Sequence, residues 1–156
     1  MSATAGAAAA GIADPRELQA ALERDVDGDV RFDAYSRHLY AQDASSYAIE
    51  PLGVCLPRHA DDVAAAVAVC GRLGVPVLAR GGGTSLAGQC VTPGLVLDLS
   101  RHMRAIAAID PDACRARVQP GVIQERLNRA AAATSSALRG RQTPSGSIAY
   151  ELASCA

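Results

Sequence analysis

Tryptophan is absent from this chain of 156 residues and phenylalanine appears once, as Phe32, so a core must be built from Ala, Val, Leu and Ile. An excess of charge is absent as well. Fifteen Lys and Arg stand against 16 Asp and Glu, a formal net charge of -1, which removes the electrostatic reason to expect nucleic acid or an anionic membrane as partner. No apolar run approaches the roughly 20 residues that span a bilayer, so no transmembrane segment is expected. The five cysteines (Cys55, Cys70, Cys90, Cys114, Cys155) contain no C-x-x-C pair, and His38, His59 and His102 lie far apart, so neither a zinc nor an iron-sulfur site can be argued. An odd cysteine count without a secretory leader points to a reducing compartment and a cytoplasmic protein. The Ala-rich start lacks a positive leading segment and is broken by Gly6 and Gly11; residues 1–13 read as a disordered tail.

What remains, 49% hydrophobic and 20% charged residues, suits one soluble globular domain. Asp14-Pro15 reads as a helix cap followed by proline at the first helical position, and Leu18, Leu22 and Val26 recur every four residues. Residues 31–47 show no clean period and read as a packed irregular segment. A βαβ unit follows: a strand over Leu52 to Leu56, a helix over His59 to Leu73, and a strand over Val75 to Ala79. The helix rests on an apolar face of Val63, Ala66, Val67, Cys70 and Leu73, on Asp61 and Asp62 in its first turn, and on Gly74 as its stop. The strands read as buried on both faces. A further strand spans Leu95 to Leu99, and a hairpin joins Ala105 to Ile109 with Arg115 to Val118 through Asp110-Pro111-Asp112-Ala113. Pro120-Gly121 leads into a helix of roughly 122–133, in which Val122, Leu127 and Ala130 or Ala131 can face the sheet. The fold class is therefore α+β with an α/β-like start, a short parallel sheet passing into an antiparallel hairpin. Cys55, Cys70 and Cys114 read as core packing residues, and His59 and His102 as solvated or capping.

Between the strands ending near Ala79 and beginning near Leu95 lie residues without helical or strand period, a long connection for a compact domain. Within it stands Arg80-Gly81-Gly82-Gly83-Thr84-Ser85-Leu86-Ala87-Gly88-Gln89. Glycines admit positive φ and close approach of a ligand to the main chain, and successive amides can converge on an anion. The dinucleotide fingerprint G-x-G-x-x-G fails, because Leu86 stands three residues after Gly83. The nucleotide triphosphate loop fails too, because Gln89 and Cys90 occupy the places of its lysine and hydroxyl residue. Two readings survive: a diphosphate cradle using backbone amides, the Thr84 and Ser85 hydroxyls and the Gln89 amide, as suits a flavin dinucleotide, or a merely flexible turn. Arg80 either faces the cofactor or forms a structural ion pair.

From Phe32 to about Ala131 the chain resembles the PCMH-type FAD-binding domain of the vanillyl-alcohol oxidase and p-cresol methylhydroxylase superfamily, nearest its glycolate oxidase and D-lactate dehydrogenase-like branch. The resemblance is carried by Asp33-Ala34-Tyr35-Ser36 with Tyr40 to Ser45, Pro51-Leu52-Gly53-Val54 with Pro57, Val75-Pro76-Val77, Arg80 to Gln89, Gly94 to Ser100, and Val118-Gln119-Pro120-Gly121-Val122. It implies that Gly81 to Ser85 bind the FAD diphosphate, with Gly88 and Gln89 continuing the wall. Some relatives carry a flavin-linked histidine where this chain has Thr84, which implies FAD held without a covalent bond. Pro120-Gly121 matches a family position against the cofactor, and equally suits a strand-to-helix turn.

The resemblance divides the chain into the 1–13 tail, an N-terminal helix and irregular segment over 14–47, a partial FAD-binding domain over 48–133, and an atypical, poorly ordered tail over 134–156. A shifted reading frame would produce such a tail. The family's second glycine-rich segment and substrate domain are not matched, so no catalytic residue is named. The implied function is the FAD-binding portion of an oxidoreductase acting on 2-hydroxy acids such as glycolate or D-lactate; the alternative is a truncated, non-catalytic fragment that folds partly and need not retain FAD.

Overall fold

The structure, a computed structural model, describes residues 14–138. The tail expected over 1–13 and the 139–156 part of the atypical tail lie outside the described residues. Helix α1, Pro15–Asp25, starts where Asp14 accepts a hydrogen bond from the Arg16 amide at 2.9 Å, and it buries Leu18 and Leu22 completely. Burying a leucine in this way contributes roughly 1.5–3 kcal/mol. Strand β1, Asp29–Arg31, and helix α2, Ala34–Leu39, follow. Helix α2 falls in the stretch expected to be irregular, and β1, for which no element was expected, ends where that stretch begins. Strand β1 is only three residues long, too short to display a period, and α2 is six residues set by its cap, Asp33, whose carboxylate accepts from the Ser36 amide at 2.8 Å.

Strand β2, Gly53–Leu56, helix α3, Ala60–Leu73, and strand β3, Val77–Arg80, form the expected βαβ unit. Strand β4, Leu95–Asp98, inserts between them: the sheet order is β1-β2-β4-β3, with β1 antiparallel and the other pairings parallel. β2 and β4 are buried throughout, as their apolar runs required, whereas β3 is an edge strand with alternating exposure. Its expected burial on both faces therefore does not hold. α3 is capped by the His59 side chain and ends at Gly74, whose φ of 66° is the left-handed conformation. Its buried residues are Asp62, Ala66, Val69 and Cys70, while Val67 is exposed. The stripe thus runs one position round from the expected face.

Side-chain alternation divides the central strands between two clusters. Cys55, Leu95 and Leu97 point to the side holding Leu18, Leu22, Val26, Ala66, Val69 and Cys70. Val54, Leu56 and Val96 point to the other side, where Tyr40 and Leu78 pack on them. Beyond the sheet, β5 (Ile106–Asp110) and β6 (Arg115–Val118) pair as a separate antiparallel hairpin. Cys114 sits exposed in its turn at φ 52°, not in the core. Helix α4 spans Gln124–Leu138, passing the expected stop at Ala133, and buries Leu127 and Ala131.

The thiols diverge accordingly. Burial pushes Cys55 up to about 12 and Cys70 up to about 11, so neither offers thiolate at neutral pH. Alkylation of the native chain at pH 8, mapped by mass spectrometry, is expected to mark Cys114 readily and to spare Cys55 and Cys70 until denaturant is added. Rapid native labelling of Cys55 would show that the α1–α3 side of the sheet is not packed as described.

Candidate functional site

Residues 81–94 leave the carboxyl end of β3 and run back to the start of β4, its parallel neighbour. The glycine run thus lies just outside the carboxyl ends of the strands, where open α/β sheets receive ligands. Its three glycines have different reasons to be glycine. Gly83 has φ 66°, and a Cβ there would lie 2.4 Å from an Arg80 guanidinium nitrogen, so the loop's own geometry requires it. Gly81 and Gly82 are not in the left-handed region; a Cβ would meet nothing within 4 Å at Gly81 and only the Thr84 Cγ2, at 3.6 Å, at Gly82. Nothing in the described protein fills the space over these two residues. Among the described residues the amides of Gly82, Gly83 and Thr84 also donate to no protein group. Open space beside unused donors fits a diphosphate.

The second half of the loop is closed on itself. The Ser85 hydroxyl accepts from the Gln89 amide at 3.0 Å and donates to the Gln89 side-chain oxygen, which also accepts from the Ala87 amide at 3.3 Å. Gly88, at φ 76°, lies under the Tyr47 ring, which a Cβ would approach to 2.8 Å. Of the expected site residues, Thr84 is exposed beside the open glycines, whereas Ser85, Gly88 and Gln89 shape the loop.

Arg80 forms no ion pair among the described residues. Its guanidinium donates to the carbonyls of Tyr40 (3.3 Å), Cys90 (2.9 Å) and Gln42 (2.8 Å), and lies 5.2 Å over the Tyr40 ring. The segment that receives it also binds the loop directly: the Ala44 amide donates to the Gly83 carbonyl at 3.1 Å, and Asp43 accepts from the Ser45 amide (2.9 Å) and the Cys90 amide (3.1 Å). The Ser45 hydrogen bond, foremost, holds the Asp43 carboxyl below the usual carboxylate range. Under this layer Tyr40 donates to buried Asp98 at 2.5 Å, and Asp98 accepts from the Ser100 amide and hydroxyl at 2.8 and 2.6 Å. Burial, then the Asp98 bond, pushes the Tyr40 phenol up to about 12.

Tyr40, Asp43 and Asp98 went unmarked as site residues in the sequence; the Asp-x-Ser pattern at 43–45 was the available signal for Asp43. Pro120-Gly121 reaches the same end of the sheet. A Cβ on Gly121 would lie 2.1 Å from the Leu99 carbonyl oxygen, and the Leu99 amide donates to the Arg80 carbonyl at 2.9 Å. Gly121 is therefore accounted for by main-chain packing, while Pro120 is exposed. Away from this end, Asp27, His59 and Asp62 bring ligand atoms within 4.8 Å of one another. The Asp62 carboxylate there is committed to the amides of Asp27 (3.0 Å) and Arg58 (2.8 Å), and serves as a structural pin.

Fold and loop together define an α+β module with an open glycine-rich loop at the carboxyl end of a parallel sheet. The chain belongs to the FAD binding domain family, whose profile matches residues 51–149 and so continues past the boundary near Ala133 set from the sequence. It is 37% identical over 119 residues to a D-2-hydroxyglutarate dehydrogenase of Pseudomonas putida, an alignment covering 74% of this chain and 12% of that protein. It is 43% identical over 90 residues to the glycolate oxidase subunit GlcD of Escherichia coli, covering 56% and 18%. The 4-ethylphenol oxidase of Gulosibacter chungangensis superposes with a TM-score of 0.61 over 77% of this chain and 24% of that one, at 20% identity, a likeness of fold. The chain thus spans between about an eighth and a quarter of the length of these proteins. Among the described residues no helix is long and apolar enough to cross a membrane.

Proposed function

We propose that this chain supplies the diphosphate site of an FAD-dependent oxidoreductase acting on a 2-hydroxy acid such as glycolate, D-lactate or D-2-hydroxyglutarate, with FAD held noncovalently. The observation that carries the reading is the open face over Gly81 and Gly82 beside amides without protein partners. The substrate class rests on what the similar proteins are named for. Thr84, in place of a flavin-linked histidine, supports a noncovalent complex. Free cysteines at Cys55, Cys70, Cys90 and Cys114 suit a reducing, cytoplasmic setting.

When bound, FAD supplies a flavin ring able to accept a hydride from the substrate carbon. This chain's own share is binding: the amides of Gly82, Gly83 and Thr84 and the Thr84 hydroxyl are its donors to the two phosphates, and Gly81 and Gly82 let the anion reach the main chain. The chain spans only about an eighth to a quarter of the length of the proteins it matches. That small share also favours a second reading, in which the chain folds but does not retain FAD alone.

Titration of the full chain with FAD, followed by flavin fluorescence, decides between them. A dissociation constant on the order of 1–100 μM is expected, since part of the cavity is present. No binding at about 1 mM FAD, where the free energy would be no better than roughly -4 kcal/mol, would establish the second reading.

A further inference from the structure

We infer that Arg80 is the positioning residue of the diphosphate loop, fixing its backbone before ligand arrives and holding a positive charge without a salt-bridge partner beside it. The inference rests on residues 81–84 being the anion site. It assigns Arg80 an action through the loop, not a contact with the ligand.

Arginine's planar fork offers five N–H donors in fixed geometry. Here that fork joins three pieces of chain. Arg80 itself ends β3 where the loop begins, Cys90 lies at the loop's far end, and Tyr40 and Gln42 belong to the segment alongside. Gly83 then folds directly over the guanidinium, so closely that no side chain fits between them. One side chain therefore fixes the loop's start, its end and the strap beside it. The Asp43 carboxylate and the Ala44 amide complete the same closure from the strap. A lysine, a single ammonium on a flexible stem, cannot reproduce three bonds spread over a fork.

The charge follows from the same list of partners. Carbonyl oxygens carry only partial negative charge, and no carboxylate pairs with Arg80 among the described residues. Asp98, its partner in the parallel register, is committed to Tyr40 and Ser100, and Asp43 to the amides of Ser45 and Cys90. The guanidinium thus lies against the Gly83 backbone without a salt-bridge partner of its own among the described residues. A half-buried charge of this kind acts on an anion over several ångströms and weakens with added salt.

R80K and R80Q in the full chain test both parts. Hydrogen exchange without ligand is read at the amides of Ala44, Gln89 and Cys90, each bonded within the closure, and at Leu95 to Leu97 in β4. Both variants are expected to speed exchange at the first three by about tenfold or more, equal to about 1.4 kcal/mol of local opening, and to leave β4 protected. Unchanged loop exchange overturns the positioning role; loss of β4 protection in both variants overturns it equally, since Arg80 would then hold the sheet and not the loop. Titration with ADP at several salt concentrations reads the charge. R80Q is expected to bind about tenfold more weakly with a flatter salt dependence, and R80K to keep the wild-type slope. An R80Q slope equal to wild type removes the charge from the account. Should the wild-type chain bind neither FAD nor ADP, the proposed function falls, and the exchange measurements still decide what Arg80 does.

Discussion

Gly82→Val is expected to abolish flavin binding while leaving the ligand-free protein as stable as before. The two halves of this expectation come from one observation: a side chain at Gly82 meets nothing in the protein nearer than the Thr84 Cγ2, yet it enters the space a diphosphate needs. A β-branched side chain there also stiffens the backbone and covers its amide. FAD affinity should fall by roughly 100-fold or more, about 2.7 kcal/mol, which measures the loss of main-chain contact with the anion. Thermal denaturation without FAD should shift little, since exposed substitutions lie within about 0.5 kcal/mol. Gly83→Val makes the contrasting control. It forces a β-branched residue to φ 66° and drives its Cβ into the Arg80 guanidinium, so it should disturb the loop with or without flavin. Wild-type FAD affinity in Gly82→Val would remove the glycine run from the site.

This split between Gly82 and Gly83 also marks how far the sequence could be read. Three successive glycines declare a loop with permissive backbone, but which of them the chain needs for itself depends on where the Arg80 side chain goes, and that is set by carbonyls at Tyr40, Gln42 and Cys90. No periodic pattern encodes such a contact. The regular elements were legible where burial imposed a period: Leu18 and Leu22 in α1, the apolar runs of β2 and β4, and the caps Asp14 and Gly74 around α1 and α3. Strand β1 and helix α2 were not, because elements of three and six residues are too short to show one. The half-exposed β3 and the outward Val67 failed for a related reason. Hydrophobicity fixes that a residue can be buried, whereas the position of β3 at the sheet edge and the rotation of α3 against α1 decide whether it is. Arg80 was left between facing a cofactor and pairing with an acid, and among the described residues it pairs with backbone carbonyls and no acid; carbonyls, which every residue carries, leave no trace in composition.

Gly121→Ala is expected to be among the most damaging single-methyl additions available, and its damage should be done before any ligand is present. An added Cβ would stand 2.1 Å from the Leu99 carbonyl oxygen and 2.7 Å from that of Met103, and both are main-chain atoms that cannot swing aside. The Gly121 amide donates to the same Met103 carbonyl at 2.9 Å, and Leu99 is in turn bonded to Arg80 at the root of the loop. Relief therefore requires the turn into α4 to move off the end of β4, breaking a buried main-chain hydrogen bond and uncovering the packing around buried Met103. A loss of about 3 kcal/mol or more is expected, within the range for overpacking combined with a broken buried bond. For a domain of this size that lowers Tm by on the order of 10 °C in the absence of FAD. Pro120→Ala alters an exposed ring one residue earlier and should change Tm by only a degree or two, roughly 0.5 kcal/mol. The comparison separates the two readings that the Pro-Gly pair admits. If Gly121→Ala kept its Tm and lost only flavin affinity, Gly121 would face the cofactor and the packing account would be wrong; a large fall in Tm without FAD assigns the glycine to the junction that seats α4 against the end of the parallel sheet.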